Sequence, residues 1–451
     1  MTVMEQYPHD LIRFLSASPT AFHATAYADS LLANRAFVRL YEQDDWGELG
    51  PGSYYVVRND SSLVAFTLAN GAAKCRALRM AGAHTDSPGL KVKPNAVHST
   101  SGLVQLGVEI YGGALLGSWF DRDLSLAGRV LWRRSGGQVQ AHLLDFCRPL
   151  LVVPSLAIHL DPEANKQRSI NRQTDLVPIL TLDNMGHGEA PNFGALLLEQ
   201  LGKQYGEHVD DAELLDFDLF LYDLQPPALL GLHNEFICSA RLDNLLSCHA
   251  LVQVLCETGQ TGQAAQEKGR DILVVLNDHE EVGSASAAGA QGTFVKDVLT
   301  RLFAPGQRQR IVSRSLFVSV DNAHALHPNF SGKYEPEHAP RMHGGPVIKM
   351  NANQRYASNG VSAAQFMLMC RQAQVPCQKF VMRNDLACGS TIGPLTATAL
   401  GIATVDVGVP QLAMHSVRET AAWRDGYYLL KALKTFFAAD DEQLAFPSAR
   451  V

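Results

Sequence analysis

Four stretches of this chain run from a short apolar segment straight into side chains able to hold a metal or move a proton. RALRMAGA (76–83) leads into His84-Thr85-Asp86, and DILVVLN (271–277) into Asp278-His279-Glu280-Glu281. SLFVSV (315–320) is followed at once by Asp321, and IATVDVG (402–408) a little later by His415. Asp243 heads the amphipathic stretch RLDNLLSCHALVQVLCETG (241–259). Two imidazoles with several carboxylates and no thiolate suit Zn²⁺, with Mn²⁺ or Co²⁺ as substitutes. Two such ions about 3.5–4 Å apart, bridged by one carboxylate, can share a hydroxide that attacks a peptide carbonyl. One glutamate of the 280–281 pair can ligate while the other takes a proton, and Asp86 is spaced to accept the His84 imidazole N–H.

Taken singly, each group has a plainer role. Asp243 would cap its helix, Glu280-Glu281 would be a solvated turn, and His84 and His415 would be core histidines bonded to backbone. Their convergence argues otherwise, because crowded carboxylates and imidazoles repel one another unless cations neutralise them.

The elements that must position them read as an open α/β sheet, in which ligands bind beyond the carboxyl ends of the strands. Residues 10–35 read as helix, and 361–374 as another. From about 103 to 158 the pattern turns to short strands, with a tight hairpin at Ser135-Gly136-Gly137. At 451 residues the chain exceeds what one core usually serves. We therefore expect an α/β domain in two segments, 1–94 and 232–451, interrupted by a β-rich insertion at 95–231.

Composition excludes several classes. A net charge of −7 and pI near 6.1 argue against a nucleic-acid surface. The N-terminal residues lack the basic and apolar regions of a signal peptide, and no apolar run is long enough for a membrane span. A cytoplasmic location is expected, with the eight scattered cysteines reduced. There is no H-E-x-x-H helix, nucleophile elbow, P-loop or dinucleotide fingerprint. Ser390, in Cys388-Gly389-Ser390-Thr391, reads as a helix cap rather than a nucleophile.

HTDSPGLKVKP (84–94), ARLDNLLS (240–247), NDHEEVGSASAAGA (277–290), DNAHALHPN (321–329), GPVIKMNANQRYASNG (345–360), RNDLACGSTIGP (383–394) and PQLAMHSVRE (410–419) closely resemble the aspartyl aminopeptidase family, which includes vacuolar aminopeptidase I. The resemblance runs from about 10 to 435 and is looser over 130–230, where LAIHL (156–160) and DLVPIL (175–180) carry it. It implies two zinc ions per subunit, with Asp243 bridging, His84 and Asp321 on one ion, and Glu281 and His415 on the other. Glu280 would be the general base. The implied fold is an α/β proteolytic domain with an inserted β-rich dimerisation domain, assembled as a tetrahedral dodecamer.

His159 of LAIHL would reach into a neighbouring subunit's site and steady the tetrahedral intermediate; its plainer role is an interface histidine. Lys349 resembles the residue that meets an acidic substrate side chain, with a structural salt bridge as the alternative. Arg355, Tyr356, Gly389 and Met414 would line that pocket, while His324 and His327 read as supporting residues. The implied activity is removal of an unblocked N-terminal Asp or Glu from peptides. Its rivals are a broad aminopeptidase preferring neutral residues, a non-catalytic metal-stabilised assembly protein, and a metal-dependent amidohydrolase or carboxypeptidase.

Overall fold

A computed structural model of the chain describes residues 3–183, 192–206, 208–209, 211–258 and 270–443. They form a mixed α/β structure of two compact units. The first comprises Met1–Asp86, Pro227–Met414 and Glu419–Val451; the second comprises Ser87–Pro226 and His415–Arg418. The first boundary precedes residue 94 because Leu90 and Lys91, at the start of the strand Gly89–Thr100, already pair with Leu221 and Phe220 of the second unit. No helix among the described residues is long and apolar enough to cross a membrane.

The first unit is built on a nine-stranded sheet in the order Val38–Leu40, Gly52–Arg58, Ser62–Leu68, Ile272–Asn277, Arg79–His84, Leu316–Val320, Ala403–Gly408, Val347–Met350 and Gln378–Val381. Four adjacent strands, from Ile272–Asn277 to Ala403–Gly408, run parallel. They are apolar almost throughout because both faces are covered. Val274 and Leu276 pack into one core with the helices Val3–Ser16, Leu242–Thr258 and Trp423–Ala438. Leu273 and Val275 point the other way, toward Phe294, Val298 and Ile392. The expected helix at 10–35 is two helices, Val3–Ser16 and Ala21–Ala33. Pro19 lies in the break, and the Thr20 side chain caps the second helix by accepting from the His23 N–H.

This unit holds a second sheet, in the order Ala228–Leu230, Phe236–Ser239, Glu419–Ala422, Pro410–Leu412 and Ala323–His324. The second unit is a six-stranded antiparallel sheet packed around Trp132, Leu106 and Leu219, with Leu197 and Leu201 of the helix Phe193–Tyr205 closing its core. The hairpin at 135–137 turns through Gly136, at φ 70°, which joins Leu124–Arg134 to Gln140–Asp145.

Candidate active site

His84 ends the strand Arg79–His84 and stands in register with Asn277 of one parallel neighbour. The other neighbour, Leu316–Val320, ends one residue before Asp321. Parallel register thus delivers His84, the 278–281 turn and Asp321 to one edge of the sheet. Asp243 joins them from the start of Leu242–Thr258. Asp243 and Asn244 are non-helical there (φ −85°, ψ 104° and φ −125°, ψ 26°), so the regular helix begins only after them.

Around His84 the geometry is that of a metal cage. Its Nε2 lies 3.5 Å from Asp243 Oδ1 and 3.5 Å from Asp321 Oδ1, and the three residues are at most 9% exposed. Ligand atoms bonded tetrahedrally to Zn²⁺ at ~2.0–2.2 Å would be spaced roughly 3.3–3.6 Å apart, so this buried oxygen and nitrogen set fits the ion. The opposite ring nitrogen, Nδ1, lies 3.0 Å from the Asp86 carbonyl oxygen. A proton on Nδ1 would leave the Nε2 lone pair facing the two aspartates. Burial alone would depress the pKa of His84, but acceptance by Asp243, Asp321 and Asp86 outweighs it and holds the imidazole well above its ordinary value. A proton there and a cation among the three ligands are two ways of offsetting the same buried anions.

Glu280 and Glu281 share one 3-10 turn, Glu280–Val282, and with His84 they form a second group whose ligand atoms lie within 4.8 Å of one another. The chain enters this turn through His279 in the left-handed region, at φ 63°. The Ser284 N–H donates to the His279 carbonyl at 2.7 Å, and Ser286 Oγ lies 2.8 Å from His279 Nδ1. Asp86 grips the turn as well. Its Oδ1 accepts from the Glu280 N–H and its Oδ2 from the Glu281 N–H, each at 3.1 Å. The same carboxylate also faces the His84 ring, its Oδ1 3.4 Å from Nδ1, with the Asp86 carbonyl oxygen closer at 3.0 Å. Burial pushes Glu280 up to about 8, with His84 opposing the rise and Asp321, Glu281 and Asp86 adding to it.

Lys349, 2% exposed, donates to Asp321 Oδ2 at 2.9 Å and to the Asn322 carbonyl at 3.2 Å. Its Nζ stands 5.2 Å from the ring centre of Tyr356. Arg355 reaches the Cys388 carbonyl at 3.2 Å, beside the exposed Gly389. Met414 instead lines a cavity of about 220 Å³ with His324, His327, Tyr334, Arg383 and Leu386. Thr391, rather than Ser390, caps Ile392–Leu400, and Ser390 donates to the Arg355 carbonyl. His159 occupies an exposed turn of the second unit. His415 also belongs to that unit, where its Nδ1 lies 3.1 Å from the Gly113 carbonyl oxygen. Three residues at the site escaped the sequence reading: Asn322, Gln411 and Glu419. All three lie inside motifs quoted above, Asn322 in DNAHALHPN and Gln411 and Glu419 in PQLAMHSVRE, where no role was read for them.

An open α/β sheet with a buried His-Asp-Asp cluster and a glutamate pair at its carboxyl edge defines a metallohydrolase. Comparison with known proteins narrows this further. The chain belongs to the aminopeptidase I zinc metalloprotease (M18) family, whose profile matches residues 14–437, and is a zinc metalloaminopeptidase. It is 48% identical over 430 residues to a probable M18 family aminopeptidase 2 of Stutzerimonas stutzeri, covering 95% of this chain and 97% of that one. Its counterpart in Pseudomonas putida is 49% identical over 428 residues, with coverage of 95% and 97%. Among solved structures, a chain from the cryo-EM structure of the Ape4 and Nbr1 complex matches with TM-score 0.92 at 38% identity, covering 96% of this chain and 86% of that one. The mApe1 dodecamer of S. cerevisiae matches with TM-score 0.83 at 28% identity, covering 98% of each.

Proposed function

We propose that the protein removes an unblocked acidic residue, Asp or Glu, from the N-terminus of peptides. The observation that carries this reading is the buried ammonium of Lys349 beside Asp321. An ammonium has three N–H donors. Asp321 and the Asn322 carbonyl take two, leaving a third for a substrate carboxylate in a site where a charge-assisted hydrogen bond is strong.

Two zinc ions per subunit would be held by His84 and Asp321 on one side and Glu281 and His415 on the other, with Asp243 shared. When bound, they would polarise the scissile carbonyl and lower the pKa of an attacking water. Glu280 takes the proton from that water and returns it to the leaving amine. Asp86 keeps Glu280 and Glu281 in their turn. The β-rich unit mediates dimerisation within a homo-oligomer, a tetrahedral dodecamer, and His159 completes a neighbour's site by steadying the oxyanion. Exposed Leu156, Ile158 and Leu160 around His159, 51%, 49% and 72% accessible, support a subunit contact there.

Glu280→Gln tests the base: zinc content stays at the wild-type level and kcat falls by roughly 10²–10⁴-fold. Substantial turnover with zinc fully bound would remove Glu280 from that role. Lys349→Met tests the selectivity, with the ratio of kcat/KM for acidic over neutral N-terminal residues falling toward unity. An unchanged ratio would make the Lys349–Asp321 pair structural and favour a broad aminopeptidase.

A further inference from the structure

Next to the ligands lies a run of buried polar side chains that none of the roles above employs. Glu419 opens the strand Glu419–Ala422 and is 1% exposed. Its Oε2 accepts the N–H of Asp243 at 2.9 Å, and its Oε1 accepts from Gln411 Nε2 at 3.4 Å. Gln411 Oε1 in turn accepts from Asn322 Nδ2 at 2.9 Å, and the same Asn322 amide donates to the Leu242 carbonyl at 2.8 Å. Gln411 and Asn322 are 1% and 3% exposed.

The Leu242 carbonyl and the Asp243 N–H belong to one peptide group. The run Glu419–Gln411–Asn322 therefore grips that group at both its donor and its acceptor. Rotation of the peptide plane would break a bond at either end. The direction of the Asp243 Cα–Cβ bond, and with it the place of the carboxylate, follows from that plane. Asn322 also follows Asp321 directly, so the run ties the backbone of one ligand to that of another. A buried carboxylate is costly to keep unless its charge is well bonded, which makes Glu419 an expensive choice for a merely packed position.

We infer that Glu419, Gln411 and Asn322 are positioning residues that hold Asp243 in the attitude required to ligate, and so set the affinity of the site for zinc. This rests on the metal reading proposed above. Supporting partners behind metal ligands commonly control affinity by 10–100-fold.

The test is zinc affinity of the full-length protein, measured by competition with a fluorescent chelator, alongside the melting temperature of zinc-stripped samples. Glu419→Ala is expected to weaken zinc binding by roughly 10–100-fold. Glu419→Gln, whose side-chain oxygen can still accept from Asp243, should recover most of that loss. Gln411→Met removes one link at similar volume and should weaken binding by about tenfold; it carries the test should Glu419→Ala fail to fold. Wild-type zinc affinity in a folded Glu419→Ala or Gln411→Met protein would overturn the inference, whatever happens to the zinc-free melting temperature. Equal losses in Glu419→Ala and Glu419→Gln would also overturn it. A wild-type protein that binds no zinc would instead sink the metal reading itself, so the two failures are distinguishable.

Discussion

Asp86→Asn separates two ways in which Asp86 could serve the site. In the native protein one carboxylate, 4% exposed, accepts two backbone N–H groups at 3.1 Å each, from Glu280 and Glu281. An asparagine has the same shape but a single oxygen. It can keep one of these bonds, while its NH₂ group must face the other N–H, donor against donor. A hydrogen bond to a charged group contributes about 1.5–3 kcal/mol, which corresponds to roughly 10- to 150-fold in rate if the loss falls wholly on placing Glu280. We therefore expect kcat of Asp86→Asn to fall within that span while zinc content is retained, with Asp86→Ala falling at least as far. The assay is steady-state cleavage of an N-terminal acidic peptide, with zinc measured on the same sample. A kcat within twofold of wild type at full zinc would refute the reasoning. A loss confined to zinc content would show that Asp86 acts through His84, as its spacing in the sequence first suggested.

Gly408→Ala should be damaging, because a Cβ there would lie 1.8 Å from the Asp321 carbonyl oxygen. Relief requires the strand or Asp321 to move, so urea unfolding should show a loss of about 1–3 kcal/mol together with weakened zinc binding; unchanged values for both would refute the close approach. His249 carries an acid sensitivity of its own. It is buried against Tyr7 and Phe14, at ring distances of 5.3 and 5.6 Å, and burial, reinforced by Arg13, pushes its pKa down to about 3. A folded-state pKa depressed below the unfolded value of about 6.5 contributes stability above that pH, lost as pH falls toward 3. Between pH 7 and 5 the wild type should lose about 2 kcal/mol more than His249→Phe in urea unfolding, and parallel losses would exclude the assignment.

What could be read in the sequence was decided by how locally each feature is encoded. His84 and Asp321 stood out because strands buried on both faces are written as unbroken apolar runs, and the first polar residue after each run marks the carboxyl edge; Glu281 follows its run as the last of four polar residues, Asp278 to Glu281. The break between Val3–Ser16 and Ala21–Ala33 was encoded just as locally, in Pro19 and Thr20. The second sheet of the first unit was not legible. Its strands have two to four residues, as in Ala323–His324, too few to establish an alternation. From its neighbours in sequence Asp243 was legible only as a cap or a ligand, since choosing between them needs the 3.5 Å approach of its Oδ1 to His84 Nε2.

The groups that escaped are those whose role lies in a partner far along the chain. Lys349 could be seen as a cation, but not that Asp321, 28 positions earlier, already holds its ammonium. Glu419 could be seen in HSVRE, but not that it meets the N–H of Asp243, 176 positions away. Both contacts end on an aspartate expected to bind metal, and both come from residues at most 2% exposed. A buried charge adjoining such a ligand restricts where the ligand's oxygens can go before any ion arrives. The substitutions at Lys349 and Glu419 should therefore differ in kind. Lys349 meets a carboxylate oxygen of Asp321 and, in the function proposed, turns its third donor to the substrate, so its loss should register in selectivity. Glu419 meets the backbone N–H of Asp243, so its loss should register in zinc affinity.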